Sequence, residues 1–146
     1  MDSEQEERQA GVRFCQRHGF PETARMVREY ECHRIIMQTL ADEAGHDGAV
    51  KALVEEGNPG WIYRFACHVE DLTEKHIDVL VEALRDSGNN EWAYSFAYGV
   101  EGLTEGQMDV LVGIVCDAGN PRWARYFVCY VGGLTRGQRE QLFVIK

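Results

Sequence analysis

Three consecutive stretches of this chain say nearly the same thing: GNPGWIYRFACHVEDLTEKHIDVLVEALRDS at 57–87, GNNEWAYSFAYGVEGLTEGQMDVLVGIVCDA at 88–118 and GNPRWARYFVCYVGGLTRGQREQLFVIK at 119–146. Set at a period of 31, they share eight identical positions: Gly57/Gly88/Gly119, Asn58/Asn89/Asn120, Trp61/Trp92/Trp123, Phe65/Phe96/Phe127, Val69/Val100/Val131, Leu72/Leu103/Leu134, Thr73/Thr104/Thr135 and Leu80/Leu111/Leu142. Self-similarity at such a period marks a supersecondary unit whose apolar faces are covered only by its neighbours.

Each shared position has a local role in a two-helix unit. Asn58 has the short acceptor side chain of an N-cap, and Pro59 occupies the first helical position, where no amide donor is missed. Trp61, Phe65 and Val69 follow at four-residue steps with Ile62 and Ala66 beside them, an apolar stripe that needs a facing surface. The small residues Ala66, Ala93, Ala97 and Ala124 allow neighbouring helices to approach closely. A second helix begins after Thr73, Thr104 and Thr135; Thr-x-x-Gln in the last two copies is a capping box, and His76 holds the same place in the first. Ile77, Leu80, Val81 and Leu84 carry the i, i+3, i+4, i+7 pattern of a core-facing helix. Gly88 and Gly119 then supply a left-handed stop before the next Asn.

The same grammar is eroded upstream. Gly19-Phe20-Pro21-Glu22-Thr23-Ala24-Arg25 echoes Gly119-Asn120-Pro121-Arg122-Trp123-Ala124-Arg125, and 48–53 falls in the second-helix register. The expected organisation is a single domain over 1–146: a capping helix over 4–18, a divergent repeat over 19–56 with a long first helix around Arg28 to Asp42, full repeats over 57–87 and 88–118, and a shortened repeat over 119–146. The fold class is all-α, a right-handed stack of antiparallel helical hairpins (an α-solenoid) with an N-terminal capping helix.

Read through Gly88-Asn89-Asn90-Glu91-Trp92-Ala93-Tyr94-Ser95-Phe96-Ala97, the chain resembles α-solenoids of the HEAT-like class, and more narrowly the short degenerate tandem repeats of uncharacterised bacterial and phage proteins. The likeness covers 57–146 well and 19–56 poorly, and a period of 31 departs from the ~34 residues of tetratricopeptide units. It implies a binding scaffold without catalytic residues, of which a phage-type inhibitor of a host nucleic-acid-handling complex is one specialisation.

Composition narrows the partners. A chain of 146 residues buries roughly 70% of the surface its unfolded form exposes. The opening MDSEQEER has neither basic region nor apolar stretch, and the run from Val110 to Cys116 is too short to span a bilayer. These point to a cytoplasmic protein with no membrane contact. Five cysteines without C-x-x-C spacing indicate neither a disulfide framework nor a zinc ribbon. Net charge is −9, unevenly placed: residues 57–118 hold 11 acids against 3 bases, whereas 119–146 hold 1 against 5. Direct nucleic-acid binding draws on lysines and arginines that displace counterions, and the repeats 57–118 offer only Arg64, Lys75 and Arg85.

No chemistry assembles. A zinc site needs four converging ligands, and the available pieces are Cys15 with His18 and the dipeptides Cys32-His33 and Cys67-His68; adjacent helical residues diverge by about 100°, so neither dipeptide chelates locally. Cys67 and Cys129 share a position with Tyr98, so the slot is not a nucleophile's. His76 reads as a cap and His18 as a C-terminal-turn cation. Gly132-Gly133 replaces a Glu-Gly loop and is no phosphate cradle. No catalytic residue, metal or cofactor is expected, and the tryptophans read as core.

Two surfaces remain. Opposite the core stripe, the first helices present Tyr63 and Arg64, then Tyr94 and Tyr98, then Arg122, Arg125 and Tyr126; Tyr and Arg bring large contact area at modest entropic cost. These side chains either bind a partner or lie across neighbouring helices and cover apolar edges. The second surface is acidic: Glu70/Glu101, Glu74/Glu105 and Asp78/Asp109 recur in register, as a solvated face or as rows that steer a basic partner. The expectation is a non-enzymatic module that masks or tethers another protein through the Tyr/Arg side, with a homodimer through the C-terminal repeat as a further option. Single-stranded nucleic-acid binding and acidic nucleic-acid mimicry are the alternatives.

Overall fold

The computed structural model describes residues 3–145 and contains helices and no strands among them. Ten helices follow in order: α1 (Ser3–His18), α2 (Pro21–Glu29), α3 (His33–Ala44), α4 (His46–Glu56), α5 (Pro59–His68), α6 (Glu74–Ser87), α7 (Asn90–Gly99), α8 (Glu105–Ala118), α9 (Pro121–Tyr130) and α10 (Arg136–Phe143). The sequence period is written into their bounds: starts at Pro59, Asn90 and Pro121 are 31 residues apart, as are Glu74, Glu105 and Arg136.

The local signals act as their chemistry dictates. Asn58 Oδ1 accepts from the Gly60 and Trp61 amides at 3.0 and 3.2 Å, and Asn89 and Asn120 cap α7 and α9. All three capping boxes close, with His76 Nδ1 accepting from the Thr73 amide at 3.0 Å where Gln107 and Gln138 accept from Thr104 and Thr135. The left-handed stop occurs at Gly57, Gly88 and Gly119, at φ between 64° and 72°.

Packing runs along two rows. Helices α3, α5, α7 and α9 lie each against the next, as do α4, α6, α8 and α10, while α5, α7 and α9 also meet the helix that follows them. Phe65, Phe96 and Phe127 are fully buried, with Leu80 and Leu111, and Leu142 is 2% exposed. The equivalent Phe and Leu positions of the three copies, in α5 to α10, are therefore all buried.

The divergent region differs from expectation. The single helix anticipated around Arg28 to Asp42 is broken at 30–32 into α2 and α3, so 19–56 holds three helices. Long-range bonding explains the break. Glu43, near the end of α3, accepts from the Glu22 and Thr23 amides at 2.9 and 2.8 Å and from the buried Thr23 hydroxyl at 2.8 Å, capping the start of α2. A continuous helix would hold those groups about 30 Å apart. Folding back also buries Ala24 and Val27 with Ile36, Met37 and Leu40.

Candidate partner-binding surface

Helices α7 and α9 start on asparagine caps one period apart, but their tyrosines are offset by one repeat position, Tyr126 and Tyr130 standing one residue beyond the counterparts of Tyr94 and Tyr98. Tyr94 and Tyr98 are one turn apart on α7, and Tyr126 and Tyr130 one turn apart on α9. Their rings join into a ribbon: Tyr98 to Tyr94 at 5.9 Å between centroids, Tyr94 to Tyr126 at 5.9 Å, Tyr126 to Tyr130 at 6.1 Å. Beneath it, Trp123 lies 5.6 Å from Tyr94 and 5.4 Å from Tyr126, and Phe127 lies 5.9 Å from Tyr94. Offset and edge contacts at these spacings each add about 0.5–1.5 kcal/mol beyond area burial. The inner rings are thereby immobilised, whereas Tyr98 and Tyr130 remain 65% and 61% exposed.

Arg122 completes the surface. Its guanidinium carbon stands 5.7 Å from the Trp123 ring and 5.6 Å from the Tyr126 ring, a cation–π arrangement. Its Nε donates to the Tyr126 hydroxyl at 3.4 Å, and that bond holds the guanidinium above its ordinary pKa. Burial first, and then the neighbouring phenols of Tyr98, Tyr130 and Tyr126, raise the Tyr94 phenol above its ordinary range.

The Tyr/Arg set named from sequence is divided by the structure. Tyr94, Tyr98, Arg122 and Tyr126 come together. Tyr63 instead lies on the next helix, 5.7 Å from the Trp92 ring with its hydroxyl against Gly99, and burial raises its phenol. Arg64 pairs with Glu7 of α1 and sits 5.9 Å over Trp92, with burial lowering its pKa. These two cover apolar edges between helices. Arg125 occupies the slot of Tyr63 and Tyr94 in the last repeat and is exposed. Tyr130, which the sequence reading omitted, belongs to the ribbon. Its spacing of four from Tyr126 was the available signal, but its counterparts His68 and Gly99 gave the column no aromatic character.

The acidic rows are also sorted. Asp78 Oδ1 accepts from Gln107 Nε2 at 2.8 Å and Asp109 Oδ1 from Gln138 Nε2 at 2.6 Å, while Glu74 and Glu105 offer their backbone carbonyls to the same amides at 3.2 and 3.3 Å. Asp78 and Asp109 therefore join one repeat to the next. Glu70, Glu101 and the carboxylates of Glu74 and Glu105 face solvent.

The tryptophans are not equally withdrawn. Trp61 is 8% exposed, Trp92 and Trp123 only partly buried. Trp61 and Trp92 border a cavity of about 520 Å³ between α1, the end of α4 and the start of α5, which corrects the expectation that every indole lies wholly inside the core. Among the described residues no group of His, Cys, Asp and Glu side chains has the arrangement of a metal site, and no helix is long and apolar enough to cross a membrane.

No protein-family model matches the chain, and neither a curated protein nor a solved structure was found that resembles it.

Proposed function

We propose that this protein is a non-enzymatic interaction module that masks or tethers a partner protein through the Tyr98–Tyr94–Tyr126–Tyr130 ribbon and Arg122. One observation carries the reading: an unbroken run of four phenols whose inner pair is locked by Trp123 and Phe127 and whose outer pair stands largely in solvent. Rings already held in one geometry lose little rotamer freedom on binding, which is how Tyr-rich surfaces convert area into affinity. In this reading the row of first helices is one face of a right-handed solenoid of antiparallel hairpins, α1 closes its N-terminal end, and the exposed Glu70 and Glu101 steer the approach. The scarcity of cations in 57–118 counts against direct nucleic-acid binding.

The test is capture from the native lysate by the immobilised full chain. A stoichiometric protein should be retained by the parent and by Glu70→Gln, and lost by Tyr98→Ala with Tyr130→Ala at unchanged far-UV circular dichroism. Retention of the same protein by the double Tyr variant, or recovery of oligonucleotide at physiological salt, overturns the proposal.

A further inference from the structure

The cavity bordered by Trp61 and Trp92 shares no residue with the tyrosine ribbon, and its lining has a definite chemical character. Three rings form its apolar walls: Phe14, 5.4 Å from Trp61 between centroids, Trp61 itself and Trp92. Close packing holds the indoles in place. A Cβ on Gly11 would stand 2.5 Å from Trp61 Cζ2, and one on Gly60 would stand 3.1 Å from Trp92 Cζ2, so both indoles rest directly on helix backbone.

The polar lining is rich in donors. Arg17 is neutralised by Glu56, with Nε donating to Oε1 at 3.2 Å, and that pair carries no net charge into the cavity. Arg13 lines the same space, and no carboxylate pairs with it among the described residues. Asn58 spends its Oδ1 on the Gly60 and Trp61 amides, which leaves its side-chain N–H groups uncommitted. One lone guanidinium and one free amide donor beside two indoles complement a flat apolar body bearing a negative group. A volume of about 520 Å³ lies within the ~300–1,000 Å³ of small-molecule pockets.

We infer that this cavity is a binding site for a small planar aromatic anion, with the ring lying against the exposed edges of Trp92 and Trp61 and the carboxylate or phosphate on Arg13 and Asn58. Isothermal titration calorimetry on the full chain tests it with two anionic probes, 1-naphthaleneacetate and adenosine monophosphate, against their uncharged counterparts 1-naphthaleneethanol and adenosine. At least one anionic probe should bind with one-to-one stoichiometry, about tenfold or more tightly than its counterpart, and which one binds separates a carboxylate ligand from a phosphate. Arg13→Gln, an exposed position whose change spares the core, should cost about tenfold in affinity, the effect of one charge-assisted hydrogen bond. Ala10→Leu, filling the cavity from α1, should abolish binding, while Tyr98→Ala with Tyr130→Ala should leave it unchanged. The inference fails if neither anionic probe binds at millimolar concentration, if Arg13→Gln binds as well as the parent, or if folded Ala10→Leu retains the site.

Discussion

Gln138 Nε2 donates to Asp109 Oδ1 at 2.6 Å across the junction of α10 and α8, and Gln107 repeats the bond to Asp78 at 2.8 Å between α8 and α6. A third rung, His76 Nε2 to Asp47 Oδ1 at 2.5 Å, joins α6 to α4. Each buried glutamine works on both sides of its amide. Its oxygen accepts the cap N–H of its own helix while its nitrogen reaches the previous repeat, so helix initiation and repeat stacking depend on one residue.

Removing that residue separates the two roles from simple helix propensity. Gln107→Ala orphans the Thr104 amide and the Asp78 carboxylate and should destabilise by about 1–3 kcal/mol in urea unfolding. Gln107→Glu keeps the cap acceptor but sets a carboxylate against Asp78. Its folded pKa must then rise above the unfolded value of about 4.3. A raised folded pKa means stability is present below the unfolded value and lost as pH rises through the folded one. The deficit of Gln107→Glu relative to the parent should therefore be large at pH 7 and shrink towards pH 4; an equal deficit at both contradicts the ladder.

One substitution should have opposite signs at two helical glycines. Gly113 in α8 has nothing within 4 Å of a built Cβ, so Gly113→Ala should stabilise by roughly 0.5–1 kcal/mol through chain entropy. At Gly11 the new methyl meets Trp61 Cζ2 at 2.5 Å and Val27 Cγ1 at 3.2 Å, so it is crowded from two sides. Overpacking there should outweigh the helix gain and cost about 1–3 kcal/mol. Thermal unfolding of the pair reads the difference directly.

Asp71 stands at φ 64°, in the loop slot that Gly102 and Gly133 fill in the later copies at φ 75° and 78°. An L side chain is strained there by about 1 kcal/mol, somewhat less for Asp. Asp71→Gly should raise the unfolding midpoint and Asp71→Ala should lower it. A lower midpoint for the glycine variant would mean that the carboxylate contributes more than the backbone costs.

The five thiols should react in order of their surroundings. Burial, helped by Glu43 and opposed by Arg28, pushes Cys15 up to about 12. Burial also raises Cys116, which is half-covered, while Cys32, Cys67 and Cys129 are exposed. Ellman's reagent with mass spectrometry should label the exposed three first, Cys116 more slowly, and Cys15 only on unfolding. Because the folded Cys15 thiol ionises later than an unfolded one at about 8.5, it favours the fold below that pH and loses this contribution as pH climbs towards 12.

Over 57–146, helix boundaries, caps and stops were legible before any fold was known, because each is decided within four or five residues: an acceptor at Asn58, Asn89 or Asn120, a missing donor at Pro59 or Pro121, and a left-handed glycine at Gly57, Gly88 or Gly119. The apolar stripes through Phe65, Phe96 and Phe127 belong to the same local code. Contacts between residues twenty or more apart carried no such mark. The break at 30–32 follows from Glu43 reaching Thr23, and the bonds of Gln107 and Gln138 cross 29 residues to Asp78 and Asp109. Tyr63, Tyr94 and Arg125 share one position in the repeat, yet Tyr63 is spent on Trp92 and Tyr94 anchors a surface ribbon, while Arg125 meets solvent. Local sequence determined which side chains leave the helix on that side; what the next helix in the row sets against them, known only when the rows are stacked, decided which are packing and which remain for a partner.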